Sequence, residues 1–203
     1  MKIKVCGLKD FLNIKEISES DADFVGIIFY EKSPRFVNGS LSFDQAREIN
    51  TKKVGVFVNE SAYSVLSKVA HYNLDVVQLH GNESPDYCRE LKRNVKIMKA
   101  FGVDVDFDFQ ILEAYEKCVD YFLFDTATLN YGGSGKTFDY TLLAKYNFSI
   151  PFFISGGISI GTVQTLKQLN IKHLYGVDIN SKFEISPGLK DVIKVKQFIK
   201  ELK

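Results

Sequence analysis

The chain has 203 residues, of which 45% are hydrophobic and 25% are charged, a balance typical of globular proteins. Its formal net charge is +1, so neither nucleic acid nor an anionic membrane is expected as a partner, although a small anion needs only a local positive potential. No apolar stretch reaches the roughly 18 residues of a membrane-spanning helix. The length suits one large domain or two small ones.

The three cysteines, Cys6, Cys88 and Cys118, are odd in number and too widely spaced for a zinc motif. Such cysteine usage is typical of a reduced, cytoplasmic protein. The three histidines show no metal-binding spacing, and the apolar run at the N-terminus is too short for a signal peptide. We therefore expect a cytoplasmic protein without a metal site.

Eight short runs rich in β-branched and aromatic residues recur along the chain. Their mean spacing of about 24 residues is too long for hairpins and fits a strand followed by a helix. Between the runs, Tyr63, Leu66, Val69 and Ala70 share one face of a predicted helix, and Ser84-Pro85 is a helix-start signal. The runs cover residues 2–6, 24–29, 53–58, 75–79, 95–100, 120–125, 151–155 and 173–178, and the helical segments cover residues 61–72, 84–93, 108–118, 138–146, 159–170 and 189–202.

Eight strand–helix units in about 200 residues predict an α/β fold, a single-domain (βα)8 TIM barrel over residues 1–203. The main alternative is an open, doubly wound sheet. Eight units fit a closed barrel better, and no dinucleotide fingerprint follows the first strand. No linker or low-complexity tract marks a second domain.

The stretch at residues 130–140, NYGGSGKTFDY, is glycine-rich but matches neither nucleotide-binding fingerprint. A P-loop would need glycine in place of Asn130, and a dinucleotide loop would need glycine in place of Phe138. No nucleotide cofactor is therefore expected.

In (βα)8 barrels the active site lies at the C-terminal ends of the strands, and the loops after strands seven and eight often bind phosphate. Gly156 and Gly157 follow strand seven and can expose backbone N–H groups to an anion, although a tight turn is the alternative for such a pair alone. Residues 176–188 add further N–H groups and Lys182. Two such elements in these two loops favour phosphate binding.

Strand alternation places Lys4 and Cys6 on the inward face of the first strand, with Ile3 and Val5 towards the helices. Neighbouring cations lower the pKa of a thiol, so Cys6 is a candidate base near neutral pH; the alternative is a small buried apolar residue. Asp125 ends strand six among aromatic residues, where partial desolvation would raise its pKa and suit it to donate a proton. Its alternative role is a cap on the following loop.

Three further side chains lie at predicted strand ends or in a loop beside them. Arg35 can bind a carboxylate through two hydrogen bonds, or be solvated. His80 ends strand four, where a structural role is the favoured alternative, and Asp178 ends strand eight, where it can accept from sugar hydroxyls or pair with Lys4. The residues alone therefore predict a sugar-phosphate enzyme with one base, one acid and no metal or redox cofactor, suited to isomerisation, epimerisation or enolisation.

At these same positions the sequence resembles the phosphoribosylanthranilate isomerase family from end to end. The K-x-C-G start together with the L-H-G-x-E element is specific, because related barrels lack the combination. The matching blocks, in chain order, are KVCGLKD, GIIFYEKSPRFV, VGVFVN, VVQLHGNE, FLFDTATLNYGGSGKTFDY, FISGGIS and YGVDINSKFEISPGLKD.

The resemblance implies a cofactor-independent Amadori rearrangement of N-(5-phosphoribosyl)anthranilate in tryptophan biosynthesis. It implies that Cys6 is the general base, that Asp125 is the general acid and that Arg35 holds the anthranilate carboxylate. The implied residues that line the substrate are His80 and Asp178, and the implied phosphate-binding residues are Gly156, Gly157, Asn180 and Ser181.

One departure from the family pattern lies after strand eight, where the family commonly has Ser-Ser-Gly-Val-Glu and this chain has NSKFE at residues 180–184. The lost glycine restricts φ, but the N–H group remains and Lys182 adds charge. The glycines at 132, 133 and 135 are interpreted as a flap that closes over the substrate. Lys136 either approaches the ligand or has no ligand role.

Two alternatives stay open. The related histidine-pathway aldose–ketose isomerase would use two aspartates, one of them ending strand one, and Cys6 at that position argues against it. A catalytically inactive barrel would bind a phosphosugar or a partner protein. The expected partner is a small phosphosugar, and both a monomer and a homodimer agree with the sequence.

Overall fold

A computed structural model of the chain describes residues 1–126 and 139–203. Eight parallel strands close into a barrel in chain order, and β1 pairs with β8 to complete it. The strands are β1 (Lys2–Val5), β2 (Phe24–Ile28), β3 (Lys52–Phe57), β4 (Val76–Leu79), β5 (Lys96–Val103), β6 (Tyr121–Thr126), β7 (Phe152–Ile154) and β8 (Leu174–Ile179). The predicted (βα)8 barrel is confirmed, and the open sheet is excluded.

A helical segment follows every strand. Six α-helices lie within residues 1–126 and 139–203, and the connections after β5 and β6 contain 3-10 helices at Phe109–Tyr115 and Tyr140–Lys145. Shorter 3-10 turns lie at Ile160–Thr162 and Ser181–Phe183. The α-helices are α1 (Phe11–Ser18), α2 (Phe43–Glu48), α3 (Ala62–Tyr72), α4 (Pro85–Lys92), α5 (Val163–Gln168) and α6 (Val192–Leu202).

Side-chain caps differ between α4 and the 3-10 helices after β5 and β6. Ser84 accepts a hydrogen bond from the N–H of Tyr87, three residues on, and Pro85 occupies the first helical position, as the sequence predicted. Asp108 and Asp139 instead accept from the N–H groups only two residues on. The amphipathic pattern at residues 108–118 and 138–146 thus predicted helical segments but not their tighter winding.

The prediction for α3 was right about the helix and about two of the four residues assigned to its buried face. Leu66 and Val69 pack against the core as predicted, whereas Tyr63 is 85% exposed and Ala70 is exposed as well. Ala62 and the fully buried Val65 complete the observed stripe instead.

The barrel has an apolar interior and a separate layer between strands and helices. Ile3 and Val5 belong to the outer layer and Lys4 is fully buried, as strand alternation predicted. The interior cluster closes the lower part of the barrel and leaves the C-terminal ends of the strands for polar side chains. Its members are Phe24, Val54, Val76, Met98, Ala100, Leu123 and Phe153.

A short antiparallel hairpin lies between β8 and α6 and was not predicted. It consists of β9 (Glu184–Ser186) and β10 (Leu189–Lys190). The sequence pattern had assigned residues 189–190 to a helix, but α6 begins at Val192, where Asp191 caps the N–H of Lys194. Within residues 1–126 and 139–203, no helix has the length and apolar character needed to cross a membrane.

Candidate active site

All nine residues predicted from the sequence line one cavity at the C-terminal ends of the strands. Tyr30, Ser33, Gln78, Ser155 and Lys182 also line it, together with an apolar wall of Ile28, Val56, Val58 and Ile158. The nine are Cys6, Arg35, His80, Asp125, Gly156, Gly157, Asp178, Asn180 and Ser181.

Cys6 follows directly after β1, and its backbone N–H donates to the carbonyl of Ile179 on β8 at 2.9 Å. Gly26 on β2 makes room for the thiol, since a Cβ there would lie 2.8 Å from Sγ of Cys6. Burial raises the pKa of the Cys6 thiol, and the charge of Lys4 opposes this rise without cancelling it. The expectation of a lowered thiol pKa was therefore wrong, because desolvation outweighs the neighbouring cation.

Lys4 and Asp178 form a buried ion pair beneath Cys6. Their side chains are 0% and 6% exposed, and Nζ of Lys4 lies 2.7 Å from Oδ2 of Asp178. Burial would lower the pKa of Lys4, but Asp178 and Cys6 outweigh it, so Lys4 stays charged. Oδ1 of Asp178 is buried without a hydrogen-bond partner among the described residues, which leaves one acceptor for a ligand.

Asp125 ends β6 on the same rim. One of its oxygens, Oδ1, accepts the N–H of Thr126 at 2.8 Å, which is the loop-capping role left open by the sequence. Its other oxygen, Oδ2, lies 4.0 Å from Nε2 of His80. Burial, followed by the charge of Asp178, raises the pKa of Asp125 to about 6. The carboxyl group can therefore hold and release a proton near neutral pH.

His80 is held by its neighbour Gln78. Nε2 of Gln78 lies 3.0 Å from Nδ1 of His80. Burial, with the charges of Lys99 and Lys4, lowers the pKa of His80 to about 4, so the ring is neutral at physiological pH. With the Gln78 amide as donor, Nδ1 accepts and Nε2 carries the proton, which then faces Asp125.

A second buried ion pair holds the loop behind His80. Glu83 accepts the N–H groups of Asn59 and Gly81 at 2.8 and 3.0 Å. Lys99 lies 3.2 Å from Glu83 and donates to the carbonyl of Gly81 at 2.8 Å. The L-H-G-x-E block thus includes the acid that joins the loops after β3 and β4.

Arg35 binds a carboxylate with two hydrogen bonds, but this carboxylate belongs to the protein. Nε and Nη2 donate to Oε1 and Oε2 of Glu184 at 2.8 and 2.7 Å. The Arg35 side chain keeps 15% exposure and borders the cavity. The sequence reasoning identified the fork of Arg35 but missed Glu184.

The glycine pair after β7 turns through left-handed backbone. Gly156 and Gly157 have φ values of 96° and 67°, which side chains rarely adopt. A Cβ at Gly156 would also collide with Oγ1 of Thr126 and would lie 3.1 Å from Oδ1 of Asp125. The pair therefore forms the tight turn that was left as an alternative, and that turn borders the cavity.

Asn180 and Ser181 follow β8, the strand next to β7, and line the same cavity. The side chain of Asn180 accepts a hydrogen bond from Nζ of Lys190 at 2.6 Å. Sequence reasoning missed Lys190, because it assigned this residue to a helix, and lysines are mostly exposed. Lys182 borders the cavity, whereas Lys136 and the glycines at 132, 133 and 135 lie outside the described residues. Among residues 1–126 and 139–203, no group of three or more His, Cys, Asp or Glu side chains could hold a metal ion.

Comparisons with known proteins point to one family. The family described as N-(5'phosphoribosyl)anthranilate (PRA) isomerase matches residues 3–201. A relative from Parabacteroides distasonis, named N-(5'-phosphoribosyl)anthranilate isomerase, is 45% identical over 206 residues, covering 100% of this chain and 93% of its own. A relative of the same name from Phocaeicola vulgatus is 41% identical, covering 100% and 98%.

Solved structures agree with the sequence matches. The phosphoribosyl anthranilate isomerase of Thermotoga maritima superposes with a TM-score of 0.83 at 33% identity, covering 100% of this chain and 98% of its own. An isomerase of the same name in complex with reduced 1-(o-carboxyphenylamino)-1-deoxyribulose 5-phosphate superposes with a TM-score of 0.79 at 30% identity and the same coverage. The chain therefore belongs to the phosphoribosylanthranilate isomerase family.

Proposed function

We propose that this chain converts N-(5-phosphoribosyl)anthranilate into 1-(2-carboxyphenylamino)-1-deoxyribulose 5-phosphate in tryptophan biosynthesis, with Asp125 as general acid and Cys6 as general base. The observation that carries the assignment of roles is a single cavity that receives a thiol from the end of β1 and a carboxyl group from the end of β6. Family membership supports the reaction, and the cavity supports the division of labour.

Ring opening is the first step and needs a proton at the leaving oxygen. Asp125 donates its proton to the furanose ring oxygen, the bond between that oxygen and C1 breaks, and the lone pair of the anthranilate nitrogen forms a C=N bond. A carboxyl group with a pKa of about 6 is protonated often enough to donate and acidic enough to do so readily.

Proton removal from C2 is the second step. The adjacent iminium group acidifies this C–H bond, so the Cys6 thiolate takes the proton and the bonding pair forms a C1=C2 double bond, which neutralises the nitrogen. The resulting enolamine gains a proton at C1 and loses its hydroxyl proton, giving the ketone at C2. Substrate and product are isomers, so the balance requires no external oxidant, reductant or cofactor.

The mechanism needs a protonated Asp125 and an ionised Cys6, but at neutral pH the opposite protonation states predominate. Asp125, with its pKa of about 6, is mostly ionised at neutral pH, and Cys6, with its raised pKa, is mostly a thiol. The reactive form, protonated Asp125 with ionised Cys6, is therefore a minor species between the two pKa values. Its fraction is constant across that interval and falls on both sides of it.

Groups beside Cys6 and Asp125 bind the two charged ends of the substrate. The remaining N–H groups of Arg35 hold the anthranilate carboxylate, and the backbone around Gly156, Gly157, Asn180 and Ser181 holds the phosphate. His80 and the unbonded oxygen of Asp178 border the sugar. We further infer a cytoplasmic protein, which fits three free cysteines that are all buried.

The direct test is a fluorescence assay that follows the loss of N-(5-phosphoribosyl)anthranilate on addition of the purified chain. We expect turnover without added metal or nucleotide, and no turnover of the histidine-pathway aminoaldose. Conversion of the histidine-pathway compound alone, or binding of the anthranilate compound without conversion, would refute the proposed function.

A further inference from the structure

A buried charged cluster lies behind the cavity and connects its two binding ends. It consists of Arg35, Glu184, Lys190 and Asn180. The side chains of Glu184 and Lys190 are 6% and 0% exposed, and their charged atoms lie 2.7 Å apart. Neither residue takes part in the proton transfers described above, so the cost of burying these charges needs another explanation.

Glu184 holds Arg35 in one orientation. Of the five N–H donors of a guanidinium group, Glu184 takes one from Nε and one from Nη2. This bidentate pairing fixes the plane of the fork and leaves the edge that carries Nη1 unengaged by Glu184. Glu184 is itself fixed, because Oε1 also accepts from Nζ of Lys190 at 2.7 Å and from the N–H of Gly188 at 3.1 Å.

Lys190 holds Asn180 at the other end. Its Nζ donates to Oδ1 of Asn180 at 2.6 Å while it binds Glu184. The backbone of Lys190 is clamped by Asn13 of α1, whose side chain accepts its N–H at 2.7 Å and donates to its carbonyl at 3.0 Å. Lys190 is therefore anchored to α1, and its side chain fixes the position of Asn180.

Gly7, the residue after Cys6, fills the gap between the two ends. Its φ is +77°, and a Cβ there would lie 2.6 Å from Cδ of Arg35 and 2.7 Å from Oδ1 of Asn180. Arg35 and Asn180 thus pack against the same residue beside the thiol. A side chain at this position would displace Arg35 and Asn180 from the places they occupy.

The charges of the cluster leave a net attraction for anions. Arg35 and Lys190 contribute +1 each and Glu184 contributes −1, so the sum is +1. Burial would raise the pKa of Glu184, but the bonds from Arg35 and Lys190 outweigh it and lower the pKa, which keeps the carboxylate ionised. Without Lys190, the Arg35–Glu184 pair would be neutral and would attract a ligand carboxylate less strongly.

We propose that Glu184 and Lys190 are positioning residues that set the distance and orientation between the carboxylate-binding Arg35 and the phosphate-side Asn180, and thereby the affinity of the site for the two charged ends of the substrate. This inference rests on the proposed function, because it takes Arg35 and Asn180 as the contacts of the two ends of that substrate. The pair acts on substrate affinity, and chemistry stays with Cys6 and Asp125.

The test compares Glu184→Gln and Lys190→Met with wild type, in turnover and in calorimetric binding of two probes, anthranilate and inorganic phosphate. We expect Glu184→Gln to raise KM and the Kd of anthranilate about tenfold, with kcat and the Kd of phosphate changed less than about threefold. Lys190→Met, which removes a positive charge and the contact to Asn180, should raise the Kd of both probes by a similar factor. The control is Glu48→Gln, which removes an exposed pair with Lys15 at 3.5 Å and should change nothing.

Separate outcomes decide the two proposals. A lower melting temperature with unchanged KM and unchanged Kd values for both probes would show that the pair is only structural and overturn the positioning role. Loss of the folded circular dichroism spectrum in both variants would overturn it as well. Probe binding that responds as expected, in a wild type that never converts substrate, would support the positioning role and refute the proposed reaction.

Discussion

The cavity brings together two groups of side chains, the proposed acid–base pair and the cluster around Arg35, and these two groups are held in place in different ways. The proposed acid–base groups, Cys6 and Asp125, lie at the ends of barrel strands, with the buried Lys4–Asp178 pair beneath Cys6. At the recognition end, Arg35 lies in a loop and is held by Glu184 of a hairpin outside the barrel, 149 residues away in sequence. Strand geometry positions Cys6 and Asp125, whereas an ion pair between a loop and a hairpin positions Arg35.

This difference separates chemistry from affinity. Groups on strands of a closed barrel have little freedom to move, which suits proton transfers that fail with small displacements. Groups on loops can adapt to a ligand and are fixed by their charged partners. Substitutions at the strand ends should therefore act on kcat, and substitutions in the loop cluster should act on KM.

The largest effects are expected at the acid–base end. Asp125→Asn removes the proton donor and Cys6→Ser replaces the thiol with a far weaker acid, so each should lower kcat by about 10²-fold or more while the fold is retained. Steady-state kinetics with a circular dichroism spectrum measure both effects. Asp139→Asn, an exposed cap, and Cys118→Ser, a buried thiol that does not line the cavity, are matched controls. Wild-type kcat in either active-site variant would remove that residue from the mechanism.

The next effect should separate the two ends of the cavity. Arg35→Ala removes the carboxylate contact and leaves Glu184 without its fork, so KM should rise about tenfold or more while kcat falls less. Substrate saturation curves measure the division between the two constants. Arg89→Ala, which removes a solvated arginine on α4, is the control. Unchanged KM and kcat in Arg35→Ala would contradict the role of Arg35. A loss confined to kcat would contradict the division between strand-end residues that act on kcat and loop residues that act on KM.

A smaller effect should arise from the residue beside His80. Gln78→Leu removes the hydrogen bond to Nδ1 and frees the ring to change tautomer, so kcat/KM should fall about three- to tenfold, a loss of the size of one hydrogen bond. Nitrogen NMR of the wild-type ring should show Nδ1 without a proton, and a neutral ring until the pH falls to about 4. A ring that becomes charged near pH 6.5 would contradict this description of the site.

The barrel and its strand-end residues were predictable from the sequence for a physical reason. A parallel strand buried on both sides is a short apolar run, and its last inward residue must lie at the rim of the cavity. Cys6, Asp125 and Asp178 follow from that rule. The same alternation placed Lys4 inside the barrel, where its pairing with Asp178 was one of the foreseen roles.

Three features of the structure could not be predicted, because they depend on contacts between residues far apart in sequence or on the degree of burial. The pairing of Arg35 with Glu184 requires two loops to meet in space, and nothing near either residue indicates its partner. The direction of the pKa shift of Cys6 depends on full burial, which outweighs the charges of Lys4 and Lys190, and the sequence indicated neither the extent of burial nor the approach of Lys190. In α3, Leu66 and Val69 were assigned correctly to the buried face and Tyr63 and Ala70 were not, because neighbouring apolar residues permit two helical stripes.

The central claim is that Asp125 donates and Cys6 accepts protons within one cavity, and the pH dependence of kcat/KM tests it most directly. For wild type we predict a plateau that falls below about pH 6, where the thiolate fraction drops while Asp125 is already protonated, and that falls again above the raised pKa of Cys6. In Asp125→Asn the break near pH 6 should vanish, so that the residual rate rises steadily towards alkaline pH. A break near pH 6 that persists in Asp125→Asn would contradict the assignment of the acid.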